Sequence, residues 1–209
     1  MPTPETEVQA VTPLAVIFSG RGSNMLAIAE ACRSGILNAR IELVICNRPG
    51  APGIAAAQAL GLKTRVIDHA TFPSRASFDL AMDAQLRLIN PEWIILAGFM
   101  RILTAEFVQR WSGRILNIHP SLLPLYPGLD THQHAIDAGD TEAGASVHVV
   151  TPQLDAGPVI AQVRVPIIDG DTKDTLAQRV LEQEHELYIK ALQQCLTNDS
   201  TSAAQAMLR

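Results

Sequence analysis

Basic residues are scarce. Sixteen Lys and Arg stand against 21 Asp and Glu, leaving a net charge of −5, and aromatic residues make up only 4% of the chain. No cluster of Lys or Arg is interleaved with aromatic residues, so binding a nucleic-acid backbone is a poor candidate for the main task. Cysteine is also sparse: Cys32, Cys46 and Cys195 are odd in number and lack C-x-x-C spacing. That excludes a disulfide framework and a thiolate zinc site as organising features, and fits reduced thiols. No apolar run approaches the length needed to cross a bilayer, and the opening MPTPETEVQA is polar and acidic, unlike a secretory signal. The expectation is a cytoplasmic protein with neither nucleic acid nor membrane as partner. What is abundant is apolar side chain: 47% of 209 residues, enough for one domain with a full core.

Short apolar runs alternate with helix-period segments. PLAVIFSG, IELVIC, TRVID, EWIILAG and GRILNIH read as strands. Between them, SNMLAIAEACRSG, GIAAAQALG, the segment 74–89 and TAEFVQRW read as helices, with Ser23 or Asn24 as cap of the first. This order predicts a single-domain α/β fold, a doubly wound, mostly parallel sheet of Rossmann-like type. After it, GASVHVVT alternates strictly, and GPVIAQVRVPI follows a turn at 154–157, predicting an antiparallel extension of the sheet. A long amphipathic helix capped by DGDT is expected over about 172–196. Residues 13–197 are thus the expected domain, with a flexible segment at 1–12 and a loose tail at 198–209.

SGRGSN, residues 19–24, lies where the first strand hands over to the first helix. Free N–H groups and the helix dipole favour an anion there. No G-K-[ST] follows, Met25 stands in the third glycine position of a dinucleotide fingerprint, and CNRPG ends the second strand without an acid. A small phosphate fits better than NAD, and a plain tight turn is the alternative.

In ILNIHPSLLP, Asn117 and His119 are two apart, so in a strand they share a face. If the strand ends at Pro120, both sit near its carboxyl end, where open α/β sheets bind ligands. An amide donor beside an imidazole suits a reaction that builds negative charge on a carbonyl oxygen. Asp155, in the turn QLDAGP, could reach the imidazole, fix its tautomer and favour the imidazolium. A serine triad is excluded because no G-x-S-x-G elbow is present. His132 and His134, spaced i, i+2, make a poor metal signature. His69, His148 and His185 have no evident partner in the sequence.

Together SGRGSN, LAGFMRIL, LNIHPSLLP, YPGL, SVH, LDAGPVI and QEHELY resemble the phosphoribosylglycinamide formyltransferase family, from about Leu14 to Leu192. The resemblance implies transfer of a formyl group from 10-formyltetrahydrofolate, as co-substrate and without a metal, to the amine of glycinamide ribonucleotide in purine biosynthesis. It implies small-molecule partners and a monomer or homodimer. By matching motif, Asn117, His119 and Asp155 are the catalytic set, and Gly22, Ser23, Asn24 and Glu184 hold the ribonucleotide. Arg75, Leu96, Met100, Arg101, Ile102, Leu103, Val108, Asn117, Thr151 and Leu154 line the folate site. Asp130 stands where relatives often carry His beside His132, and Leu181 where some carry a polar residue. A formyltetrahydrofolate hydrolase would be expected to add an amino-terminal module, and a methionyl-tRNA formyltransferase a carboxyl-terminal one. A non-enzymatic phosphate-ligand sensor could keep SGRGSN but has no use for Asn117, His119 and Asp155 together.

Overall fold

The computed structural model describes residues 10–197. Most of the segments expected to be loose, 1–12 and 198–209, lie outside that span, although Thr12 already opens the first strand. The strands are β1 (Thr12–Phe18), β2 (Ala39–Cys46), β3 (Thr64–Val66), β4 (Trp93–Leu96), β5 (Ile115–His119), β6 (Glu142–Val149) and β7 (Val159–Pro166). They form one sheet in the order β3-β2-β1-β4-β5-β6-β7. The first five are parallel, and β6 and β7 extend the sheet antiparallel. The strand order turns back between β1 and β4, the place where such sheets open a crevice at their carboxyl edge.

Six helices cover the sheet: α1 (Ser23–Arg33), α2 (Pro52–Ala59), α3 (Arg75–Ile89), α4 (Ala105–Arg110), α5 (Thr131–Asp137) and α6 (Lys173–Thr197). Alternation along β1 divides the core between the two faces. Leu14, Val16 and Phe18 join Met25, Ile28, Leu176 and Tyr188 of α1 and α6, whereas Ala15 and Ile17 join Phe78, Met82 and Phe107 of α3 and α4. On β5 the same rule sends Leu116 and Ile118 to the α1/α6 face and Ile115 to the α3/α4 face. Asn117 and His119 have the parity of Ile115. Tyr188 is fully buried and its hydroxyl lies 3.2 Å from the Leu96 carbonyl and 3.0 Å from that of Leu116, anchoring α6 to β4 and β5.

Three local details depart from expectation. The cap of α1 is neither Ser23 nor Asn24 but Gly22, at φ 75°, with no side-chain cap. A left-handed turn brings the chain into the helix there, so Ser23 and Asn24 fall in the first turn. β6 was expected to alternate, yet every residue after Glu142 is buried, because β6 lies inside the sheet with α6 packed on it. The short helix α5 was not anticipated as an element, since THQHAID carries little apolar stripe. The long helix α6 begins as expected: Thr172 and Thr175 exchange backbone-to-hydroxyl bonds of 3.0 and 3.3 Å, a capping box. Among the described residues no helix is long and apolar enough to cross a membrane.

Candidate active site

The site gathers at the carboxyl end of β5. Antiparallel pairing with β6 sets His148 opposite Asn117 and Ser146 opposite His119. Asn117 Nδ2 lies 3.2 Å from His148 Nε2, and His148 Nδ1 lies 3.1 Å from the Val149 carbonyl. A carbonyl only accepts, so this assigns the proton to Nδ1 and leaves Nε2 to accept from the Asn117 amide. Burial lowers the His148 pKa, outweighing the nearby Asp155 charge, and keeps this neutral form. His148 had no partner in the sequence. Here it is part of the centre.

Asp155 joins the two histidines. Its Oδ2 lies 3.4 Å from His119 Nδ1 and accepts the Gly128 N–H at 2.9 Å, while Oδ1 lies 3.6 Å from His148 Nε2. The turn that carries it is held tightly: Asp155 sits at φ 47°, and a side-chain carbon on Gly157 would collide with the Val149 carbonyl. On its other nitrogen His119 faces the Tyr126 carbonyl at 2.8 Å. Both ring nitrogens therefore face acceptors, and only the imidazolium donates to both. The loop after His119 is pinned by Ser146, whose hydroxyl donates to the Ser121 carbonyl at 2.6 Å and accepts the Leu123 N–H at 3.0 Å. Gln162 Nε2 adds a bond of 2.9 Å to the same hydroxyl.

A cleft of about 110 Å3 opens on the α3/α4 side, lined by Leu96, Arg101, Ile102, Leu103, Val108, Asn117, Thr151, Leu154 and Asp155. Phe99, His148 and Val150 also line it and were not foreseen; Pro152 lines it too, within the loop 151–154 that the resemblance brings to the site. Two expected members stand apart. Met100 is 66% exposed, its N–H held by Ser19 Oγ at 2.8 Å, and Arg75 is exposed at the start of α3. A larger cavity of about 280 Å3, between α3 and α4, is mostly apolar and remote from Asn117 and His119.

On the opposite face, the first turn of α1 meets α6. Asn24 Nδ2 donates to Glu184 Oε2 at 2.8 Å, and Asn24 Oδ1 is buried without a partner. A side-chain carbon on Gly22 would lie 3.1 Å from Met25 Cε, so the loop is tightly seated at that point. Burial raises the Glu184 pKa, opposed by the Asn24 bond and by the charges of His185 and His119. His119 thus stands within electrostatic reach of Glu184 on one side and beside Asp155 on the other. His132, in α5, is also within reach of His119; burial lowers its pKa and its Nδ1 has no partner.

The raised Glu184 pKa has a consequence for stability. A carboxyl group whose folded pKa lies above its unfolded one helps the fold below the unfolded pKa, and that help is lost as pH rises through the folded value. Glu184→Gln keeps an acceptor for Asn24 and removes the buried charge. It should raise the melting temperature at pH 8 by on the order of 3 °C, with no gain at pH 4, where the wild-type carboxyl is protonated. Calorimetric melts at the two pH values decide; an equal gain at both would mean that the charge is not what costs stability.

A cleft on one face of the sheet and the Asn24–Glu184 contact on the other thus flank the polar network at the end of β5. Residues 13–192 match the family model described as formyl transferase. The chain is 44% identical over 175 residues to the phosphoribosylglycinamide formyltransferase of Escherichia coli K12, covering 84% of this chain and 82% of that protein. It superposes on the crystal structure of phosphoribosylglycinamide formyltransferase from Brucella melitensis with a TM-score of 0.84 and 46% identity, covering 90% of this chain and 96% of that one. For the enzyme of the same name from Coxiella burnetii the values are 0.81 and 47%, over 87% and 85%. Fold, site and likeness agree: the chain belongs to the formyl transferase family, on its phosphoribosylglycinamide formyltransferase branch.

Proposed function

We propose that this protein transfers the formyl group of 10-formyltetrahydrofolate to the amine of glycinamide ribonucleotide, in purine biosynthesis, by direct attack. The observation that carries this is the Asn117–His148–Asp155–His119 network at the end of β5, with a cleft on one side and the α1 turn and Glu184 on the other. A phosphate fits the N–H groups of Gly22, Ser23 and Asn24 at the start of α1, and Glu184 takes the glycinamide end or the ribose. The pterin ring fits between Leu96, Ile102, Leu103, Val108, Thr151 and Leu154. Arg101 lines the cleft, with Arg75 and Met100 outside it, and the two cations suit the tail carboxylates of a folate.

In this scheme the amine attacks the formyl carbon and a tetrahedral oxyanion forms. The Asn117 amide, with one N–H given to His148, offers its other. The His119 imidazolium supplies the second donor by releasing the Tyr126 carbonyl, a neutral acceptor and the weaker of its two partners. Asp155 holds His119 and a water that carries the amine proton to the departing folate nitrogen. The reaction needs no covalent enzyme intermediate. An absorbance assay for the folate product, run with and without glycinamide ribonucleotide, tests the reading. Product only in its presence is expected; product without it would mark a hydrolase, and none in either case would sink the enzyme reading.

A further inference from the structure

Asp79 has no part in that scheme, yet its side chain is 3% exposed on the buried stripe of α3. Oδ2 accepts the Thr104 N–H at 2.7 Å. Thr104 caps α4, its own Oγ1 accepting the Phe107 N–H at 3.3 Å. The chain between β4 and α4 therefore has two side-chain tethers, Ser19 at Met100 and Asp79 at Thr104. Between them lie Arg101, Ile102 and Leu103, one wall of the cleft.

A neutral acceptor could hold a backbone N–H in this place without the cost of burying a charge. Burial raises the Asp79 pKa, while the Thr104 donors and then the charges of Arg75 and Arg101 lower it. Its Oδ1 is buried and unbonded. The carboxylate is thus incompletely satisfied by hydrogen bonds. Asp79 also lines the α3–α4 cavity.

We infer that Asp79 is a positioning residue for the folate side of the reaction: by holding the Thr104 N–H it fixes the Arg101–Leu103 wall. The inference rests on the folate reading of the cleft. Asp79→Asn keeps the shape and an acceptor for the Thr104 N–H but removes the charge; Asp79→Ala removes both. Steady-state KM for each substrate, and calorimetric titration with 5-formyltetrahydrofolate and with glycinamide ribonucleotide, separate the possibilities. In Asp79→Ala the folate KM and Kd should rise about tenfold, the scale of a hydrogen bond to a charged group, with a smaller rise in Asp79→Asn. Ribonucleotide KM should stay within about twofold and kcat at saturating folate within about threefold. If Asp79→Ala fails to fold, the near-isosteric Asp79→Asn carries the comparison. Unchanged folate affinity, or equal losses for both substrates, in a folded variant would overturn the inference alone. A wild-type protein that does not bind the folate would bring down the reading of the cleft, and the inference with it.

Discussion

Replacing Asn117 with Ala should lower kcat by on the order of 10²–10³, the loss typical of removing one oxyanion donor, while folate affinity changes only a few-fold. Asn117 is partly exposed at the end of β5, lines the cleft, and gives one of its two amide hydrogens to His148. On the proposed scheme the second hydrogen meets, in the ground state, a formyl oxygen of small partial charge, so its contribution to binding is modest. In the tetrahedral intermediate that oxygen carries a full charge in a site with little water, and the same N–H then stabilises it far more. Truncation also leaves His148 Nε2 without its donor, but the backbone bond from Nδ1 still holds the ring. Single-turnover kinetics with both substrates bound, together with folate titration, measure the two effects separately. A large loss of folate affinity with kcat preserved would assign Asn117 to binding and leave the oxyanion without this donor.

What could be read from the sequence was what rests on local pattern. The five parallel strands, the helices between them and the face shared by Asn117 and His119 follow from periodicities of two and 3.6, and β5 lies at 115–119 within the expected GRILNIH. The motif that carries Arg101, Ile102 and Leu103 is contiguous, and the three residues line one cleft together. What could not be read depends on pairing across the chain. His148 becomes a partner of Asn117 only through the antiparallel register of β5 and β6, which no local pattern specifies. The Asn24–Glu184 bond spans 160 residues and the Asp79–Thr104 bond 25. A signal for the latter did exist: Asp79 and Asp83 fall on the buried stripe of α3 beside Phe78, Met82 and Leu86. An acid on such a stripe requires a partner, and for Asp83 that partner is the Trp111 indole at 3.0 Å. The Gly22 cap of α1 was missed because Ser and Asn are better caps by composition, whereas the positive φ at this turn favours glycine.

Asp155→Asn should leave the fold nearly intact and reduce kcat by roughly 10²–10⁴, the span of general acid–base assistance. The backbone at this position is left-handed, φ 47°, a conformation that Asn adopts at least as readily as Asp. The new amide oxygen can still accept the Gly128 N–H, as Asp155 Oδ2 now does, so the turn keeps its tether. Its amide nitrogen then points toward His148 Nε2 in place of Oδ1 and competes with Asn117 for one acceptor. His119 loses its anionic neighbour: the atom facing its Nδ1 becomes a neutral amide oxygen, a weaker acceptor than a carboxylate, while the Tyr126 carbonyl still faces the other nitrogen. On the proposed scheme the variant thereby loses the negative charge beside His119 and the carboxylate that positions the proton-carrying water. Two measurements distinguish this from general damage. Melting temperature and ribonucleotide affinity should stay close to wild type, since Gly22, Ser23, Asn24 and Glu184 lie on the other face of the sheet. The nitrogen chemical shifts of the His119 ring should differ between the wild type and Asp155→Asn, because the group facing Nδ1 changes from a carboxylate to a neutral amide oxygen. Identical ring signals in the two proteins would mean that Asp155 does not act on His119, and the oxyanion scheme would then lose the support of its second donor.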